Sequence, residues 1–186
     1  MSNPMQQTPP DAMGGAPQPP AAPTKPGAAP MFLMILAVVG IVSCVLDFVA
    51  GGQFVDAMNA AYKKLGESTR VTASDFNIGT MYLNLVLTVV LGIMGTLVRS
   101  GKNGARITGA ILAIFTTLGG IVGGVIVMLD GAADSLMQTQ AHTSVLPGWY
   151  FPLGLLVVVA QVVLSLLATI TLFGSKAKTH CTTPQP

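Results

Sequence analysis

A chain of 186 residues in which 51% of side chains are hydrophobic and 9% are charged has too little charge to cover a water-facing surface. Nine Lys and Arg against seven Asp and Glu leave a formal net charge of +2, scattered along the chain, which excludes the basic footprint of nucleic-acid binding. The two cysteines, Cys44 and Cys181, are too distant in sequence to form a disulfide framework or a metal-ligand spacing, and no cofactor or metal motif is present.

In chain order, residues 1–30 hold nine of the thirteen prolines and almost no large apolar side chains. Such a segment cannot bury enough surface to offset its ordering entropy, so a disordered tail with polyproline II character is expected, suited to recruiting a cytoplasmic protein. It lacks the charged start of a signal peptide, so the first apolar run is read as retained.

Four long apolar runs follow, at about 31–50, 79–98, 107–129 and 149–173, and within them Asp47 is the single charge. A hydrocarbon core about 30 Å thick needs roughly 20 helical residues. Each run meets that length. The expected fold is an all-α membrane protein: an antiparallel bundle of four transmembrane helices over 31–174, with a short tail at 175–186. Between the first two runs, Phe54, Met58, Ala61 and Leu65 share one helical face, predicting a short amphipathic helix on the membrane surface. Ser74 or Asp75 would cap the second span. After the third run, Trp149 and Tyr150 suit an interfacial depth, and His142 reads as a solvated loop residue.

The turn "RSGKNGAR" carries Arg99, Lys102 and Arg106 without an acid. With Lys25, Lys176 and Lys178 it places six cations on the side of the termini against three on the other. The positive-inside rule therefore puts both termini and this turn in the cytoplasm of a plasma-membrane protein, with the three cations anchored on anionic headgroups. The turn is not a P-loop: Gly95 and Gly101 are one residue too far apart, and Asn103 replaces the magnesium-binding hydroxyl. Its run into the next span, "RSGKNGARITGAILAI", resembles the "GRNxARI" turn of small four-span actinobacterial membrane proteins that carry a Pro-rich cytoplasmic tail. Gly104 stands where an aromatic residue is common there. The resemblance implies topology and a bacterial envelope location; it implies no catalytic residues.

Within the spans, small and polar residues recur at helical spacing. Thr80, Asn84, Thr88, Gly92 and Thr96 form one stripe, Gln161, Ser165 and Ala168 another, and Gly40, Ser43 and Asp47 a third. Gly109, Gly119, Gly120, Gly123 and Gly124 are expected at helix contacts, since close backbone approach and interhelical hydrogen bonds drive association in lipid. The same glycines serve the alternative of a homo-oligomer seam. Asp47, Asn84 and Gln161 are the candidates for an intramembrane polar cluster. Asp47 reads more readily as a residue reaching headgroup water, because no second membrane acid completes a relay; Gln161 reads as interhelical glue. No nucleophile, base or paired carboxylate constellation suggests catalysis, so no enzyme is expected. The favoured function is an interaction or scaffold protein of the bacterial envelope. The alternatives are a small transporter or channel centred on Asp47 and a holin-like, phage-type membrane protein.

Overall fold

The computed structural model describes residues 25–66, 68–72 and 78–182. Most of the proline-rich tail lies outside these residues, as do Ser74 and Asp75 with their expected cap. Among them the chain is helical with no strand: α1 (Ala29–Lys64), α2 (Ile78–Arg99), α3 (Asn103–Ala141), α4 (Tyr150–Phe173) and α5 (Ser175–Thr182). The first four are long and apolar enough to cross a membrane. They form an antiparallel ring in which α1 packs on α2 and α4, and α3 on α4. The α2–α3 seam is the least extensive of the four, and α1 and α3 barely touch across the diagonal.

The bundle is apolar outside. Val38, Ile41 and Val45 on α1, Val86 and Val89 on α2, Ile121 and Val122 on α3, and Val159, Val163 and Ile170 on α4 are all exposed. Small and polar residues point inward instead, with Thr88, Thr116, Gln161 and Ser165 buried. A water-soluble bundle shows the reverse arrangement. The pattern belongs to a membrane protein, whose outer face meets lipid tails and whose helices associate through close approach.

At the end that carries the α2–α3 turn, the helices meet tightly. Leu33, Leu36, Leu91, Val98, Ala113, Ala168 and Leu172 are buried in one core. Glycine permits that packing: a Cβ on Gly95 would lie 3.3 Å from the Pro30 carbonyl oxygen, and one on Gly109 would lie 3.2 Å from the Leu33 side chain. Midway along the seam of α3 and α4, the Thr117 and Ser165 hydroxyls share a 2.7 Å hydrogen bond.

Backbone chemistry explains the glycine at the turn. Gly101 sits at φ 77°. Its N–H donates to the Val98 carbonyl at 3.0 Å, and the Lys102 N–H donates to the Leu97 carbonyl at 3.1 Å. This pair of bonds is the Schellman cap that closes a helix C-terminus through a left-handed residue. Gly104, near the start of the new helix, is open: a Cβ there would meet nothing within 4 Å. Gly101→Ala should therefore cost about 1 kcal/mol through left-handed strain, whereas Gly104→Ala should gain a few tenths to about 1 kcal/mol from helix propensity. Unfolding midpoints in mixed micelles test the pair, and equal midpoints would contradict the cap.

One expectation is corrected. The segment after the first apolar run is no separate surface helix: α1 continues unbroken through Gly51 and Gly52 to Lys64. At 1.5 Å per residue its length is about 54 Å, and that of α3 about 58 Å, against a hydrocarbon core of about 30 Å. Both helices therefore run on past the bilayer at the end opposite the turn. Amphipathic spacing looks the same whether a helix lies on a surface or projects from it. Within the short tail expected at 175–186 the structure adds a further helix. Its residues Ser175–Thr182 form α5, folded beneath the turn, with His180 Nε2 3.1 Å from the Arg99 carbonyl and Cys181 Sγ 3.9 Å from the Val98 carbonyl.

Candidate ligand-binding cavity

A second, smaller core closes the end away from the turn. Ala50, Val145, Leu146 and Tyr150 are buried there, with Phe54, Met58, Met137 and Trp149 packed around them. Asp134 organises the loop that supplies it. Its Oδ1 accepts the Val145 N–H at 2.7 Å and the Leu146 N–H at 2.9 Å, and its Oδ2 accepts from Gln138 at 2.8 Å and from the Ser144 hydroxyl at 3.0 Å. Asn59 does the same for the other loop, exchanging two hydrogen bonds with the Val71 backbone at 3.1 and 2.8 Å.

Asp134 lies about 42 Å along α3 from Arg106, beyond the hydrocarbon. Partial burial pushes its carboxyl up, but the four hydrogen bonds to the charged form outweigh that and hold it below the ordinary 3.8. A depressed native value stabilises the fold above the unfolded pKa and is lost as pH falls through the native one. The protection factors of the Val145 and Leu146 amides, taken against the intrinsic exchange rate at each pH, should accordingly fall as acid protonates Asp134, and Asp134→Asn should show low protection throughout. Protection in the wild type that ignores acidification would contradict this.

Between the two cores the helices do not fill the bundle. A cavity of about 1100 Å³ is lined by α1, α2, α3 and α4. α2 and α3 touch near their turn, where a Cβ on Gly109 would be 3.6 Å from Met94. Farther up, Leu83 and Asn84 on α2 and Phe115 and Gly119 on α3 all border the cavity. Tyr82, Leu83, Phe115 and Val122 line it and are also among the exposed side chains. The cavity thus communicates with the lipid-facing surface along that seam.

Its walls are mostly apolar, with polar groups placed at graded depth. From the turn end, helical rise puts Gln161 about 18 Å in, Asn84 about 22 Å, Asp47 about 27 Å and Asp130 about 36 Å. All four line the cavity. Ser43 donates a hydrogen bond to Asp47, and the charge of Asp130 acts on Asp47; both carboxylates act on Tyr150. Gln161 is 8% exposed, yet no hydrogen bond to it exists among the described residues. Since no fully sealed side-chain N or O atom lacks a partner, its amide must face the cavity.

The three intramembrane candidates, Asp47, Asn84 and Gln161, thus border one space. Asp130, which follows the third apolar run directly, joins Asp47 on the cavity because α3 continues, at a depth past the hydrocarbon. Gln161 makes no interhelical bond, against its reading as glue. Gly120 and Gly124 do lie against α4, a Cβ on each approaching Val162 at 2.9 Å and Val158 at 3.2 Å. Gly109 packs in the first core. Gly119 does not pack: a Cβ there meets nothing within 4 Å, and with Gly123 it lines the cavity.

Of the turn's cations, Arg99 and Lys102 are exposed. Arg106 differs from the expected headgroup anchor. Its Nε donates to Asn103 at 2.9 Å and its guanidinium to the Leu172 carbonyl at 3.1 Å, satisfying the C-terminus of α4. Removing a charged hydrogen bond of this kind costs about 1.5–3 kcal/mol, so Arg106→Ala should lower the unfolding midpoint while Lys102→Ala leaves it within error.

Among the described residues no three His, Cys, Asp or Glu converge as metal ligands. Comparison with family models, curated proteins and solved structures finds no match to this chain.

Proposed function

We propose that this four-span membrane protein binds an amphiphilic ligand in the cavity between its helices, as a small binding protein or as the binding step of a transporter. The observation that carries this reading is Gln161: a side chain more than nine-tenths buried, without a hydrogen bond, and facing an open space of about 1100 Å³. A buried amide without a partner is costly, and protein interiors avoid it unless a ligand or solvent completes it. Pockets for drug-sized ligands have volumes of about 300–1,000 Å³, apolar walls and a few convergent polar groups, which is the composition here.

The positive-inside count supports placing the α2–α3 turn, α5 and both termini in the cytoplasm. The cavity then occupies the outer half of the bilayer, sealed from the cytoplasm by the core around Leu33 and Leu172. The chain's resemblance in layout to actinobacterial four-span proteins supports a bacterial plasma membrane. A cytoplasmic partner for the proline-rich tail remains part of this proposal as a separate function, one that concerns residues outside the cavity.

The test is titration of a neutral fluorescent amphiphile into the protein held in zwitterionic nanodiscs, with empty nanodiscs as background. Wild type should show saturable binding. The double variant Gly119→Leu, Gly123→Leu, which fills the cavity from its glycine side, should lose about tenfold or more in affinity, equivalent to about 1.4 kcal/mol. Unsaturable partition, equal in both and in empty discs, would defeat the reading.

A further inference from the structure

Resting on that reading, we infer that the ligand is a small amphiphilic cation, its ammonium held between Asp47 and Asp130 and its apolar body lying toward Gln161 along α3. Two carboxylates from different helices border the same cavity, and the charge of Asp130 acts on Asp47. No Lys, Arg or His is among the described residues that line it. Ser43 hydrogen-bonds Asp47, but a neutral hydroxyl does not offset its charge. The cavity therefore presents like charges with no protein counter-ion, in surroundings where desolvated charges interact more strongly than in water. A ligand cation supplies what is missing.

The remaining walls favour an organic cation over a metal ion. Calcium takes six to eight oxygens at about 2.3–2.6 Å, whereas here the space is large, mostly apolar and without a third acidic, His or Cys ligand among the described residues. Phe48 and Tyr82, near the depth of Asp47, add aromatic faces, which attract ammonium groups. The deeper Gln161 and Asn84 amides offer both donors and acceptors, so they suit a polar atom partway along the ligand's body. Volume commits the proposal to one source. At about 1100 Å³ the cavity lies just above the range of about 300–1,000 Å³ for drug-sized molecules, so the ligand proposed is a single-tailed or aromatic amine, and a double-tailed lipid is the alternative that the competition arm tests. The exposed seam between α2 and α3 gives it a route from the surrounding lipid.

The experiment uses the full chain in zwitterionic nanodiscs and a series of probes with one common fluorescent tail and three heads: trimethylammonium, hydroxyl and sulfate. A fourth arm adds a double-tailed trimethylammonium lipid as competitor. The ammonium probe should bind about tenfold or more tightly than the hydroxyl probe, the sulfate probe weakest, and the lipid should not displace it. Asp47→Asn with Asp130→Asn should erase the ammonium preference over the hydroxyl probe, with a helical circular-dichroism spectrum and micellar unfolding midpoint like the wild type's showing that the variant is folded. Saturable hydroxyl binding without an ammonium preference, a preference that survives the double substitution, or displacement by the lipid would overturn this inference and leave the cavity reading intact. Absence of saturable binding by every probe would overturn both.

Discussion

Gly120→Leu is expected to destabilise the bundle by about 3 kcal/mol, while Gly119→Leu, one residue earlier, changes stability by less than about 0.5 kcal/mol. The two glycines are neighbours in one helix and share the same intrinsic propensity, so the difference isolates packing. A Cβ on Gly120 comes within 2.9 Å of Val162 Cγ2 and 3.9 Å of the Val162 nitrogen, on the same α3–α4 seam that the Thr117–Ser165 hydrogen bond joins. A Cβ on Gly119 meets nothing within 4 Å, and a leucine there enters open space. Reversible unfolding in mixed micelles measures both. Similar losses at the two positions would mean that the cavity closes in the membrane and that α3 packs on more than one side.

Gln161→Met is expected to stabilise the ligand-free protein by about 1 kcal/mol while weakening amphiphile binding. Methionine keeps the side chain's length, and replacing an amide that faces the cavity without a protein hydrogen bond by an apolar group removes part of the cost of holding a polar group among apolar walls, about 1 kcal/mol. The opposite sign follows from a structural role: interhelical hydrogen bonds in membranes contribute about 0.6 kcal/mol on average and up to about 1.7, so losing one would destabilise. Parallel unfolding and binding curves on wild type and Gln161→Met separate the cases. A destabilised variant with unchanged binding would assign Gln161 to the scaffold and remove the main support for the cavity as a site.

Composition and charge spacing carried the architecture, because the bilayer imposes a length rule that apolar runs obey directly. The same rule hid two features. Apolar runs end where lipid ends, but helices end at caps. The Schellman pair at Gly101 ends α2 near its apolar boundary, whereas α3 continues a dozen residues past Leu129 to His142. Asp130 consequently reads on paper as a loop acid and stands in the structure on a wall opposite Asp47. Glycine spacing was likewise ambiguous. On a helix, Gly119 and Gly123 lie on one stripe and Gly120 and Gly124 on the adjacent one, and only the position of α4 decides which stripe packs and which lines a void. The polar triad of Asp47, Asn84 and Gln161 was visible as three isolated anomalies in apolar runs. That they border one cavity depends on relative helix rotation and depth, which no single span encodes. The fold of α5 was hidden because eight mostly polar residues after a span look like any tail, and its hydrogen bonds are with backbone carbonyls 81 and 83 residues away.

The most direct measurement is photolabelling of the reconstituted protein with a diazirine-bearing ammonium amphiphile, followed by peptide mapping of the labelled side chains. Labelling that concentrates on cavity residues such as Leu87, Thr116 and Gln161, and that an excess of unlabelled amphiphile suppresses, is the expected result. Labels confined to the lipid-facing belt at Ile41, Val45, Ile121 and Val163, insensitive to competitor, would show an amphiphile dissolved in the bilayer and no binding site inside the bundle.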